Sequence, residues 1–358
     1  MPTRARIAAA TTIFLGSTAA NLDASSVNVL LPSLAAAFAT TPSTTIGIVG
    51  IYQLVLLVAV LPLASLGERV GFRNIYVAGF SLLLAGGVLA SLAPSLSFLH
   101  LARACSGLAT ACIMTSAAAV LRPVFGAARI GSGLSVIAVA AGSATALGPL
   151  LAGFLLTRYS WRIVFVAAAP AAVCSLLLAL RTVPNRQLTR SPFDWRSALM
   201  YSVALVSLLG GLHFSVTRGS VIGAACAFFG AAAFPRLIRL QRDSAHPILP
   251  LDLFRLPLFA LRILVACLAF NGLMIVLATL PFHLTTVLEL ESLATGSAIA
   301  VWSMVAVVTA PLAGIAADRE HGRGLGAAGL ACSALGLILL VQTTRSFVAA
   351  TACITLCG

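Results

Sequence analysis

Asp23 and Arg103 are an acid and a base standing where a membrane interior tolerates neither easily. Asp23 lies in Leu22-Asp23-Ala24-Ser25-Ser26-Val27-Asn28-Val29-Leu30-Leu31-Pro32, after the apolar stretch from Ile13 to Ala20. An ionised carboxylate at a bilayer centre costs roughly 2.5–3.5 kcal/mol on insertion scales, so an Asp kept there points to traffic in protons, ions or substrate. Arg103, in Leu101-Ala102-Arg103-Ala104-Cys105-Ser106-Gly107, stays charged and must find an anion, a carbonyl or water. Asp23 is the nearest kind of partner the sequence offers. Two blander readings stand beside these. Asp23 is tied up as a helix cap or in a buried hydrogen-bond pair, a reading favoured because Pro32 could break the helix nearby, or Arg103, close to one end of its segment, snorkels to the interface.

The elements that position this pair follow from composition. Of 358 residues, 60% are hydrophobic and 9% charged, whereas soluble domains carry about 25% charged residues. So few charges cannot cover a water-facing surface, which implies a polytopic membrane protein. The apolar runs last about twenty residues, the length of a spanning helix, and not the ~10 alternating residues of a barrel strand. The expected fold is therefore an all-α membrane helix bundle. Eleven spans are expected, at roughly 9–33, 45–66, 74–93, 98–120, 130–155, 162–180, 195–214, 219–239, 260–286, 293–316 and 324–342. A twelfth apolar run starts near Ser346 and stops at Gly358, so the last part of the bundle is expected to be incomplete.

All 22 basic residues are Arg. With the N-terminus inside, 17 fall on inner flanks, 4 on outer flanks (Arg158, Arg162, Arg218 and Arg345), and Arg103 lies within a span. This asymmetry is the positive-inside rule, and it accounts for the net charge of +13 without nucleic acid. The eight Cys show no CxxC or Cys/His metal spacing and read as small buried hydrophobes. No cofactor or metal is expected. No Walker sequence and no nucleophile–base arrangement supports an enzyme. No cleavable signal peptide is evident.

Two loops repeat one chemistry. The first reads Ala64-Ser65-Leu66-Gly67-Glu68-Arg69-Val70-Gly71-Phe72-Arg73, the second Gly314-Ile315-Ala316-Ala317-Asp318-Arg319-Glu320-His321-Gly322-Arg323. Acids and arginines at cytoplasmic helix ends can pair across a seam, or bond helix termini, and so form a gate latch. Recurrence in two halves signals internal duplication; the plainer reading is an ordinary charged turn. In the fifth span, Ala140, Ala144, Gly148 and Ala152 fall four apart, with Pro149 and Gly153 beside them. Small residues at that spacing let helices touch backbone to backbone, and Gly148-Pro149 allows a kink. Asn28, Gln53, Asn271 and His283 are further polar residues in or near spans, candidates for lining a cavity or for bonding a neighbouring helix.

On these motifs the chain resembles the major facilitator superfamily, and within it the fourteen-helix drug:proton antiporters. The first-helix pattern L-D-x-T-I-V-N-V-A-L-P is similar to Leu22 to Pro32, with Ser25 for the Thr. The loop pattern G-x-L-a-D-R-x-G-R-K/R resembles 64–73, with Ala64 for the first Gly and Glu68 for the Asp, while Gly71 and Arg73 match. R-x-x-Q-G resembles 103–107, with Ser106 for the Gln. The antiporter motif G-x-x-x-G-P-x-x-G-G resembles Ala144, Gly148, Pro149, Ala152 and Gly153. Tyr159 to Phe165 with Pro170, Phe193-Asp194-Trp195 and Pro250 to Arg255 continue the likeness.

The resemblance implies two pseudo-symmetric helical halves around a central cavity, working by alternating access. It assigns Arg103 to proton coupling, in agreement with the reading of Asp23 and Arg103 from their residue types, and it implies efflux. It divides the chain into a six-helix half (1–180), a cytoplasmic linker with two extra central helices and an interfacial loop (181–258), and part of a second half (259–358). The expected partners are protons, a small amphiphilic substrate and the lipid bilayer of the cell membrane, with the protein a monomer. Proton-coupled uptake by the same fold, and a non-transporting remnant or scaffold, are the alternative readings of the same sequence.

Overall fold

The computed structural model describes residues 3–126, 129–183, 189, 193–242, 253, 256–282, 304–305, 307–316 and 322–342. These are helices and the turns between them, with no strand among the described residues. In chain order they are α1 (Thr3–Ala37), α2 (Pro42–Val70), α3 (Phe72–Ser91), α4 (Leu96–Phe125), α5 (Ile130–Arg158), α6 (Trp161–Val164), α7 (Ala169–Thr182), α8 (Trp195–Arg218), α9 (Val221–Arg242), α10 (Pro257–Phe282), α11 (Val307–Ala316) and α12 (Gly322–Gln342). Seven stretches among the described residues are long and apolar enough to cross a membrane, and they fall on the second to eighth expected spans. The all-α membrane bundle read from the sequence is the fold observed.

One expected span is not continuous. In place of a single helix over 162–180, α6 ends at Val164, a turn covers Phe165–Ala168, and α7 restarts at Ala169. Pro170 is the cause: it has no N–H to donate to Val166, and its ring crowds that carbonyl. Pro32 behaves differently. α1 runs through it to Ala37, so the break expected there as one explanation of Asp23 does not occur.

The residues group into two compact units, Met1–Val120 with Gly148–Asp252, and Leu121–Leu147 with Leu253–Gly358. In the first, α1 packs along α7 and α2, α3 packs on α7, and α8 and α9 form a tight hairpin that rests on α2. Its apolar core joins Val27, Leu30 and Leu34 of α1, Ile48 of α2, Leu99 and Ala102 of α4, and Trp161 and Phe165. Trp161 stacks at a tilt on Phe38, ring centres 5.6 Å apart, and meets Phe165 edge-on at 6.0 Å. Asp194 caps α8 by accepting from the Ser197 N–H at 3.1 Å. Partial burial pushes the Asp194 carboxyl up, but the bonds from Ser197 and the Arg196 backbone, with the Arg196 charge, outweigh it and hold the group below the usual carboxylate range. In the second unit, α11 approaches α5 at Gly314, where a Cβ would stand 2.7 Å from the Gly131 carbonyl oxygen.

Candidate functional site

Asp23 sits mid-way along α1 and Arg103 in the first third of α4, eighty residues apart in sequence. Arg103 Nη1 donates to Asp23 Oδ2 at 2.7 Å, and the two side chains are 1% and 2% exposed. Of the blander sequence readings, Arg103 does not snorkel and Asp23 is not a cap, but Asp23 does stand in a buried hydrogen-bonded pair, with Arg103 as its partner. Removing two charges from water costs several kcal/mol per ion, which a single contact repays only in part. The pairing is incomplete as well, because Arg103 Nε is buried without a hydrogen-bond partner. The guanidinium meets one more group, the ring of Tyr52 on α2, whose centre is 4.5 Å from its central carbon. The Tyr52 hydroxyl in turn donates to Thr110 Oγ1 at 3.0 Å.

Close helix approach makes this arrangement possible. A Cβ on Gly107 would stand 2.5 Å from the Tyr52 carbonyl oxygen, so α2 and α4 touch backbone to backbone one turn after Arg103. A Cβ on Gly86 of α3 would stand 2.9 Å from Ser106 Oγ, so the position where the Gln pattern carries a longer side chain is filled by α3. On another side, α5 meets α1 at Gly148: a Cβ there would collide with Ser25 Oγ, and Ser26 Oγ reaches the Gly148 carbonyl oxygen at 3.4 Å. The small-residue motif therefore touches α1 within three residues of Asp23. Ala140, Ala144 and Ala152 are also fully buried, whereas Pro149 and Gly153 are only partly so. A void of about 10 Å³, room for one water, borders Asp23 between Leu83, Gly87, Phe165 and Ala172.

The loop motif is built differently from a simple acid–base latch. Gly71 has φ 91°, a conformation that joins α2 to α3 and that side chains resist. Arg73 donates to the Leu180 carbonyl and so caps the last turn of α7. Arg69 bonds the Ser65 carbonyl and hydroxyl and lies over the Phe193 ring, 5.4 Å from its centre. Glu68 is exposed, and its carbonyl accepts from the Thr189 N–H at 3.2 Å. Ala64 is partly buried and Gly314 buried. Asp318, Arg319 and His283 lie outside the described residues. Asn28 and Gln53 are exposed, and Asn271, also exposed, donates to the Cys267 carbonyl at 2.8 Å. None of these three joins the ion pair.

A bundle of spanning helices with a buried acid–arginine pair between its first and fourth helices invites comparison with membrane carriers, and the profile described as Major Facilitator Superfamily matches residues 13–358. The chain belongs to the major facilitator superfamily. Among superfamily relatives, it is 33% identical over 349 residues to a protein named uncharacterized transporter YebQ, of Escherichia coli K12, covering 97% of this chain and 76% of that one. It is 30% identical over 314 residues to the multidrug efflux pump LfrA of Mycolicibacterium smegmatis, covering 87% of this chain and 62% of LfrA. The chain thus spans less than two thirds of that pump's length. Among solved structures, the proton:xylose symporter XylE aligns over the whole chain and 79% of its own, with a TM-score of 0.66 and 15% identity, which places the fold. The chain is a superfamily membrane transporter.

What the sequence missed in this superfamily fold is Tyr52. It sits beside Gln53, which was singled out for its amide, yet the helix turns Gln53 outward and Tyr52 inward. A tyrosine among aliphatic span residues was the available signal. Nothing in its spacing ties it to Arg103, since that contact depends on the packing of α2 on α4.

Proposed function

We propose that this transporter is a drug:proton antiporter of the fourteen-helix family, which exports a small amphiphile from the cytoplasm in exchange for external protons. The observation that carries the proposal is the buried Asp23–Arg103 pair at 2.7 Å. A proton arriving on Asp23 removes the carboxylate charge and the charge-assisted bond that ties α1 to α4. The cost of keeping that acid ionised in an apolar surround is thereby relieved, and the two helices are released for the rocking motion of alternating access. Loss of the proton to the cytoplasm restores the bond. Substrate and proton compete for the same state, which makes the exchange obligatory.

Two further features support the reading, the first its coupling and the second, by likeness alone, its direction. The Gly148 segment touches α1 at Ser25 and Ser26, so a shift of the small-residue motif reaches the proton site directly. The name of LfrA places drug efflux among the relatives. The organisation proposed is a six-helix half over 1–180, linker and two additional helices over 181–258, and second-half helices over 259–358, in the cell membrane with the N-terminus cytoplasmic. Its partners are protons, the amphiphile and lipid, with the transporter working as a monomer and without cofactor.

The test is substrate-driven proton movement in vesicles. In proteoliposomes carrying a pH dye, the parent protein should release protons when an amphiphilic cation is added, and Asp23→Asn should abolish this. Undiminished release from the Asn variant removes Asp23 from the mechanism. Uptake of the cation along with the proton, in vesicles of known orientation, would make the protein a symporter.

A further inference from the structure

We propose that Tyr52 is the positioning residue that holds the Arg103 guanidinium while Asp23 carries a proton. This rests on the proton-exchange reading above and names the group that makes its protonated state tenable. In the unprotonated state Arg103 has an anion. Once Asp23 is neutral, a guanidinium 1% exposed to solvent has lost its counter-charge, and its Nε has no partner to fall back on. A buried cation left in that way is strongly destabilising. The π face of Tyr52, 4.5 Å from the guanidinium carbon, is what stays in place, and its attraction for the cation counts for more once the neutral acid no longer shares the guanidinium, because a cation–π contact is worth most where nothing else compensates the charge.

The seat for this ring is built into α4. Arg103, Gly107 and Thr110 follow at spacings of four and three, one face of a helix. Tyr52 lies along that face: its ring covers Arg103, its backbone rests on Gly107, and its hydroxyl bonds Thr110 Oγ1 at 3.0 Å. Both ends of the tyrosine are therefore fixed to the helix that carries the arginine, and the ring travels with Arg103 when α1 lets go. Tyr52 is 3% exposed and cannot swing away into solvent. Among other ionisable side chains on the surrounding helices, His100 lies beside Gly47 and Cys112 beside Gly79. Tyr76 of α3 bonds the Thr12 carbonyl and Arg162 of α6 bonds the Ala93 carbonyl. Cys112, Cys105 and His100 share α4, and Cys174 of α7 is exposed.

The ring stabilises the state in which Asp23 is protonated and Arg103 bare, so its removal makes proton loading harder. Ethidium-driven proton release from proteoliposomes, measured across pH, should reach half its maximum at a pH lower by about half a unit to one and a half units in Tyr52→Leu. Tyr52→Phe, which keeps the face and loses only the hydroxyl, should restore most of the parent midpoint. Tyr52→Met serves in place of Leu if the latter does not fold. A ring that merely fills space would leave the midpoint of all three variants where the parent has it, and that result overturns the proposal.

A second readout needs no transport. Tyr52→Leu should lower the melting temperature in detergent more in an Asp23→Asn background, where Arg103 already lacks its anion, than in the parent; equal losses in both backgrounds overturn the proposal. If Asp23→Asn still releases protons on addition of ethidium, the exchange reading fails, while the melting comparison still decides whether Tyr52 holds an unpaired Arg103.

Discussion

Gly107→Ala is the perturbation that tests the geometry beneath the site. An alanine Cβ at 107 would stand 2.5 Å from the Tyr52 carbonyl oxygen, 3.2 Å from the carbonyl carbon and 3.3 Å from Cα. All three obstructing atoms belong to main chain, so no rotamer change relieves the clash, and α2 must move away from α4 by several tenths of an ångström. Overpacking of this kind costs about 1–3 kcal/mol, and a rigid obstruction belongs at the upper end. Alanine returns about 1 kcal/mol in helix propensity over glycine. The net expectation is a loss of about 2 kcal/mol, read as a lower melting temperature in detergent. Proton release falls with it, because the same displacement draws Tyr52 off Arg103. Two other glycines supply the scale. At Gly148 the nearest obstruction is Ser25 Oγ, the end of a side chain that can turn, with Ser25 Cβ at 3.1 Å and the Ser26 backbone nitrogen at 3.3 Å behind it, so alanine there should cost less than at 107 but is not free. At Gly153 nothing lies within 4 Å, and alanine should be neutral or stabilising by up to about 1 kcal/mol. The order 107 worst, 148 intermediate, 153 harmless is the prediction. A Gly107→Ala protein as stable as the parent would refute the α2–α4 contact and, with it, the seat for Tyr52.

Gly71→Ala should destabilise by about 1–3 kcal/mol, because φ 91° with ψ 131° is a conformation only glycine adopts at little cost; thermal melting checks it, and an unchanged melting temperature would mean that the α2–α3 turn is not shaped in this way. Asp194→Ala should cost about 1 kcal/mol by removing the cap of α8. Since its folded-state carboxyl is held below its ordinary 3.8, the ionised cap contributes fully above that value and fades as pH falls through the lower one, so the melting gap between parent and variant should narrow in acid.

The sequence made much of this architecture legible, for a simple physical reason. In a bilayer every backbone polar group must be satisfied within its own segment, so a twenty-residue apolar run has little choice but to be a helix. The spans from the second to the eighth were readable on that ground. What went unseen needed one helix to meet another. The span over 162–180 looked continuous because hydropathy does not register that Pro170 strips a bond from Val166. That Arg73 could pair with an acid or bond a helix terminus was readable from its type and place; which of the two it does was not, since only the packing of α3 on α7 brings the Leu180 carbonyl to it.

The candidate site divides along the same line. That Asp23 and Arg103 are anomalies was set by residue type against an apolar background, and no tertiary information was needed to find them. That they form a 2.7 Å pair, that Gly107 and Gly148 are the points of contact that allow it, and that Tyr52 faces the arginine while Gln53 faces outward were decided only by tertiary structure. Periodicity tells which residues share a helix face; the partner of that face is fixed by how small residues on different helices let their backbones approach, and that relation exists only once the chain has packed.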